Sequence, residues 1–203
     1  MRIGIFGGSF DPVHAGHAMI ASYAAQSEYL DEVWFMVSRR NPLKEYETIA
    51  DEGERLEMVK LVCGDNKYLK ASDFEFSLPT PSFTYDTLCL LKKNYPHDDF
   101  LLLIGADNYR DFYKWRNAER IIREFGLIVY PRPGVEIEIR EERGVIFLPD
   151  CPLIGISSTI IRRMVAQGRN IDYFVTEKVA DYIKRKKLYT LPTGETYQKD
   201  ERR

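Results

Sequence analysis

The sequence predicts an α/β fold in which a doubly wound parallel sheet carries helices on both faces. Three observations support that prediction. Strand, helix and strand signals follow one another within residues 1–37. The run Phe100-Leu101-Leu102-Leu103-Ile104 is apolar at every position, as a central strand covered from both sides must be. Helical and strand patterns then keep alternating as far as Tyr189.

Residues 2–6 form a short buried strand that runs into Gly7-Gly8, and residues 16–28 a helix with His17, Ile20, Ala24 and Ser27 at helical spacing. Residues 33–37 are the second strand, and the polar stretch 38–51, interrupted by Pro42, is a long loop. Residues 54–63 are an amphipathic helix with acids at its start, where the helix dipole favours them. A strand is expected within 67–77, then a helix over 84–94 with Tyr85, Leu88 and Leu91 inward, stopped by Pro96. After the central strand come a helix over 117–125 and a strand over 126–130, ended by Pro131-Arg132-Pro133-Gly134. Two short strands at 145–148 and 153–156 follow, then helices over 158–167 and 176–187, the second capped by Thr176. Residues 1–189 read as one domain and residues 190–203, with little to bury, as a flexible tail.

Of the 203 residues, 44% are hydrophobic and 30% charged, enough for a sizeable core and incompatible with global disorder. Twenty-nine basic residues against 31 acidic ones give a formal charge of -2, which argues against a nucleic-acid-coating surface. The cationic stretch Lys184-Arg185-Lys186-Lys187 reads as a solvated helix end. Cys63, Cys89 and Cys151 are far apart and odd in number, so a disulfide scaffold is excluded and reduced thiols are expected. No window is long and apolar enough for a membrane span, and the short N-terminal apolar run does not read as a signal peptide; a cytoplasmic protein is expected. A homo-oligomer is compatible with the sequence.

Binding crevices of open parallel sheets lie beyond the carboxyl ends of the strands. Four segments at such ends are rich in glycine and polar residues: 7–17, 38–44, 105–116 and 155–162. In the first, Gly7 and Gly8 let backbone amides approach an anion, and His14 and His17 flank the expected helix start, where ring nitrogens can donate to phosphate oxygens. The GxGxxG dinucleotide fingerprint is absent, which disfavours a dehydrogenase. A zinc pair would need a third ligand, and neither His97 nor any cysteine is suitably placed. In the last segment, Ser157, Ser158 and Thr159 open a helix with Arg162 one turn in, forming a second anion cradle; an ordinary capped surface helix is the plainer alternative. Two cradles on one crevice point to a polyphosphate substrate. Trp115, between Lys114 and Arg116, reads as a groove wall able to stack on a planar ring.

The run Gly7-Gly8-Ser9-Phe10-Asp11-Pro12-Val13-His14-Ala15-Gly16-His17 resembles the HxGH motif, and Ile156-Ser157-Ser158-Thr159-Ile160-Ile161-Arg162 resembles the ISSTxIR motif, of the nucleotidylyltransferase superfamily. Residues 82–88, 104–107 and 112–115 further resemble the bacterial nicotinate-nucleotide adenylyltransferase family, over about residues 1–189. The resemblance implies a Rossmann-like fold, ATP and nicotinate mononucleotide as substrates, deamido-NAD and pyrophosphate as products, and Mg²⁺ as helper. It implies ATP contacts from Gly7, Gly8, Ser9, Phe10, His14 and His17, with Gly105, Ile156, Ser157, Ser158, Thr159 and Arg162 completing the set. Nicotinate mononucleotide would meet Ser9, Lys44, Thr84, Tyr85, Asp107 and Trp115. His14, His17, Lys44 and Arg162 would do the catalytic work, with no protein-held metal. Asn41-Pro42-Leu43-Lys44 departs from the family's Pro-Pro-His-Lys, losing a histidine while keeping the charge. Phe83, Tyr113 and Thr176 stand where Tyr, His and Pro are common. Other members of the superfamily use nicotinamide mononucleotide or pantetheine phosphate as acceptor, or transfer cytidylyl groups. A nucleotide-binding protein without turnover would keep the same cradle.

Overall fold

The computed structural model describes residues 1–39, 50–136 and 142–190. Six parallel strands form one sheet: β1 (Arg2–Gly8), β2 (Glu32–Val37), β3 (Leu69–Ser72), β4 (Asp99–Gly105), β5 (Leu127–Tyr130) and β6 (Val145–Phe147). Their order across the sheet is β3-β2-β1-β4-β5-β6. The chain builds outward from β1 in one direction, then returns to its other side at β4. That reversal opens a crevice beyond the carboxyl ends of β1 and β4.

The helices are α1 (Ala15–Ala25), α2 (Glu52–Cys63), α3 (Thr84–Asn94), α4 (Ala106–Arg110), α5 (Ala118–Glu124), α6 (Ser158–Ala166) and α7 (Glu177–Lys186). Strand alternation sorts the core into two layers. Phe6, Val33, Phe35, Val37 and Leu103 pack against α1, α2, α6 and α7, while Ile3, Ile5, Phe100, Leu102 and Ile104 pack against α3 and α5. Successive side chains of a strand face opposite sides, so the unbroken apolar run of β4 serves both layers.

Two sequence expectations are corrected. Residues 153–156 are not a strand: β6 is the sheet edge, and the chain leaves it to cross the start of α1, where Ile154 packs on Gly16. Thr176 stands at the N-cap of α7 but its side chain makes no cap hydrogen bond. The segment after β4, for which the sequence reading named no element, folds into α4 and a 3-10 turn at Phe112–Lys114. Residues 191–203 of the expected tail lie outside the described residues. Cys63, Cys89 and Cys151 are free thiols, and burial pushes Cys63 up to about 12 and Cys151 up to about 11, so neither is a ready nucleophile. Among the described residues no helix is long and apolar enough to cross a membrane.

Candidate active site

A cavity of about 600 Å³ occupies the crevice at the β1–β4 reversal. Gly7 and Gly8 form one lip and Gly105 the other; Ser82, Phe83, Thr84 and Trp115 form the far wall. Gly7 has no atom within 4 Å of where a side chain would begin, so the lip is open to a ligand. At Gly8 a side chain would instead meet the Phe10 ring at 2.9 Å. Phe10 itself holds a left-handed backbone (φ 49°) with its ring turned into the core, against Phe6, Phe35 and His17. Only its backbone is available to a ligand.

His14 and His17 stand at the start of α1, outside the cavity lining, with His17 edge-on to Phe6, which does line it. His14 is the N-cap, its Nδ1 accepting from the His17 amide at 3.3 Å, while His17 Nδ1 accepts from the His14 amide at 3.3 Å. The rings are consequently stacked, 3.6 Å between centroids. An accepting Nδ1 carries no proton, so the neutral tautomer has its hydrogen on Nε2. Burial, reinforced by the charge of Arg132, holds His14 down to about 4; burial, then His14 and Arg132, hold His17 well below the usual imidazole value. Both are therefore neutral Nε2–H donors at pH 7 in the ligand-free protein. The backbone contributes less here than the helix-start argument implies, because the Ala15 amide donates to the Phe174 carbonyl at 2.8 Å.

The second motif reaches the first across the fold. Ser157 Oγ caps α6 by accepting from the Ile160 amide at 3.3 Å. Ser158 Oγ donates to the Pro12 carbonyl at 2.9 Å, and Arg162 donates to the Asp11 carbonyl at 2.7 Å and to Thr159 Oγ1 at 3.4 Å. Ile156 packs on the core behind this turn. Asp107, one residue into α4, is 3.5 Å from the Arg132 guanidinium, and a side chain at Gly105 would collide with both. Tyr85 points its hydroxyl to Glu124 at 2.8 Å, away from the cavity, which leaves its amide in the uncapped first turn of α3. Trp115 leans on Phe112 with its remaining face on the cavity. Lys44 lies outside the described residues.

Several residues at the site escaped the sequence reading. Arg132, after β5, had been read only as part of a strand-terminating turn, yet its charge reaches both histidines. Arg55 is buried in α2 and donates to three carbonyls: Ser9 at 2.7 Å, Ser38 at 2.8 Å and Ala50 at 3.3 Å. Buried Asp11 accepts from the Tyr189 hydroxyl at 2.6 Å. Arg132 and Arg55 carry no local signal, since an Arg beside a helical apolar stripe reads as surface, while Asp11 lies inside the HxGH-like run without a role having been read for it.

Arg39 and Glu75 are the charged residues lining the cavity among the described residues. Burial pushes the Glu75 carboxyl up to about 7. Because the folded carboxyl is the weaker acid, its contribution to stability is intact below about 4.5 and is lost as pH rises through about 7. That rise corresponds to about 3 kcal/mol, which partial solvent access trims to about 2 kcal/mol. E75Q is therefore expected to match the wild-type melting temperature at pH 5 and to exceed it at pH 8. Equal melting at both values would show that the ionised carboxylate is not strained.

A family model described as cytidylyltransferase-like matches residues 5–164. The chain is 42% identical over 190 residues to a probable nicotinate-nucleotide adenylyltransferase of Cytophaga hutchinsonii, covering 94% of this chain and 99% of that one. It is 40% identical over 189 residues to the corresponding protein of Exiguobacterium sibiricum, covering 93% and 99%. The solved Plasmodium falciparum nicotinic acid mononucleotide adenylyltransferase complexed with NaAD superposes with a TM-score of 0.75 at 25% identity, covering 93% of this chain and 97% of that one. With a family model over residues 5–164 and relatives at 40% identity or more along nearly their whole length, the chain belongs to the nicotinate-nucleotide adenylyltransferase family, enzymes that transfer an adenylyl group in NAD biosynthesis.

Proposed function

We propose that this enzyme adenylylates nicotinate mononucleotide by direct in-line attack of the acceptor phosphate on the ATP α-phosphorus, releasing pyrophosphate. The observation that carries this reading is the cavity between the glycine lip of β1 and the uncapped start of α3, with Trp115 on its wall. It has room for a pyridine nucleotide whose phosphate ends beside His14 and His17. A phosphomonoester is largely dianionic at neutral pH, so its oxygen attacks without a general base. The obstacles are repulsion between two polyanions and charge growing on the departing pyrophosphate.

His14 and His17 would meet that charge as fixed Nε2–H donors, with Arg132, Arg162 and Lys44 supplying positive charge. Ser9, Ser157, Ser158 and Thr159 flank the same lane, and none is assigned as a covalent nucleophile. Mg²⁺ is ordinarily held by substrate phosphates with one or two carboxylates. Asp107, at the lip by Gly105 and paired with Arg132, would face the sugar of the mononucleotide, and the ion, held by the substrate phosphates, would neutralise pyrophosphate charge. At the ring end, the amides of Thr84 and Tyr85 and the positive start of α3 suit a carboxylate, while Trp115 offers a face for the pyridine.

The test is to mix the protein with ATP, Mg²⁺ and either nicotinate or nicotinamide mononucleotide and follow pyrophosphate and dinucleotide. Preference for the nicotinate form supports the assignment; equal turnover removes the carboxylate role of α3. W115A is expected to raise KM for nicotinate mononucleotide about tenfold with kcat little changed, the loss of one stacking contact. A change below twofold would take the ring off Trp115.

A further inference from the structure

We propose that Arg55 is a positioning residue that sets the phosphate-facing amides of the site from inside the core. The inference rests on reading the β1–α1 turn as a phosphate cradle. Arg55 is 1% exposed and reaches three separate segments at once. Its Nη1 serves both the Ser9 carbonyl in the β1–α1 turn and the Ser38 carbonyl just past β2, and its Nε serves the Ala50 carbonyl before α2. Those last two carbonyls bracket the segment that carries Lys44.

A trans peptide is planar, with its N–H opposed to its C=O. The Ser9 carbonyl is drawn inward onto the guanidinium, so the Phe10 N–H of the same peptide points outward, on the side of the exposed Ser9. The Ser38 carbonyl is drawn inward likewise, so the Arg39 N–H points the opposite way, beside the cavity that Ser38 and Arg39 line. Neither amide donates to the backbone of any described residue. One buried cation thus orients two donors on neighbouring strand ends, Gly8 to Ser38 being joined by a 2.9 Å backbone hydrogen bond. The left-handed backbone of Phe10 has the same effect, fixing a peptide that would otherwise relax.

Arginine is needed for its rigid fork of donors; a lysine ammonium can hold one or two of these carbonyls but not three in this geometry. Burial lowers the guanidinium's pKa, with the Asp11 and Glu52 carboxylates opposing the loss.

Pyrophosphate is the probe for the test, with R55K and R55M compared by calorimetric titration, by kinetics and by thermal melting. A positioning role predicts pyrophosphate binding weakened about tenfold in R55M and at least threefold in R55K, with KM rising in the same order, per folded molecule. A purely structural role would lower the melting temperature while leaving both constants within twofold in the folded fraction, and that result overturns the proposal. If R55M does not fold, R55K decides. In the wild-type protein, pyrophosphate is expected to slow hydrogen exchange at the Phe10 amide, and unchanged exchange overturns the proposal without any variant. Failure of the wild type to adenylylate either mononucleotide would overturn the acceptor assignment instead, leaving the pyrophosphate result to stand or fall by itself.

Discussion

H17A is expected to lower kcat/KM about a hundredfold, close to 3 kcal/mol of transition-state stabilisation. His17 is a donor fixed before substrate arrives: its Nδ1 is committed to the His14 amide, its ring is stacked on His14, and Phe6 and Phe10 meet it edge-on. A donor that needs no reorganisation is worth most where charge develops during the reaction. Because burial keeps the ring neutral, kcat/KM is expected to rise as the acceptor phosphate loses its last proton near pH 6 and then to stay level. A fall above pH 6.5 would instead mark an imidazolium donor. H17N can still accept from the His14 amide, so it separates the cap from the donor: the cap costs about 1 kcal/mol of stability and the donor costs rate. A kcat/KM within threefold of wild type in H17A would remove His17 from the reacting phosphate.

The sheet, its helices and the crevice were legible because each rests on a local pattern. Alternation marks β1 and β2, an unbroken apolar run marks β4, and glycines mark the strand ends where a backbone must stay bare. The strand expected at 153–156 fails because its apolar run, with Ile154, has no free strand to pair with, and α4 goes unpredicted because it is too short for a period. The site divides on the same line. Gly7, Gly8, His14 and His17 announce themselves by spacing, but that the two rings cap each other and stay neutral follows from their burial beneath the Phe174 turn and from Arg132, which is 115 positions or more distant. Arg55 is silent in sequence because its three acceptors are backbone carbonyls, and any residue can supply a carbonyl.

R162A is expected to cost more than either half of its role suggests, about three orders of magnitude in kcat/KM. Its guanidinium is bonded to the Asp11 carbonyl and set by Thr159, so it holds the turn that carries Phe10 and His14 and, in the proposed reaction, would also supply charge beside the phosphates. Ser158 holds that turn one residue on, at the Pro12 carbonyl, and Tyr189 holds the Asp11 carboxylate from beneath. R162K keeps the charge without the fork and is expected to recover about tenfold of the loss, whereas a role in charge alone would restore nearly all of it. S158A should cost about tenfold by itself, since one anchor of the turn remains. Removing both anchors should not simply multiply the two losses, because each single variant leaves the other holding the same peptide. A double-mutant cycle on kcat/KM is expected to give a coupling of about 1 kcal/mol or more between Ser158 and Arg162. Full additivity would mean that the second motif meets the substrate on its own account and that its bonds to the first, 146 and 151 residues away in sequence, are incidental to catalysis.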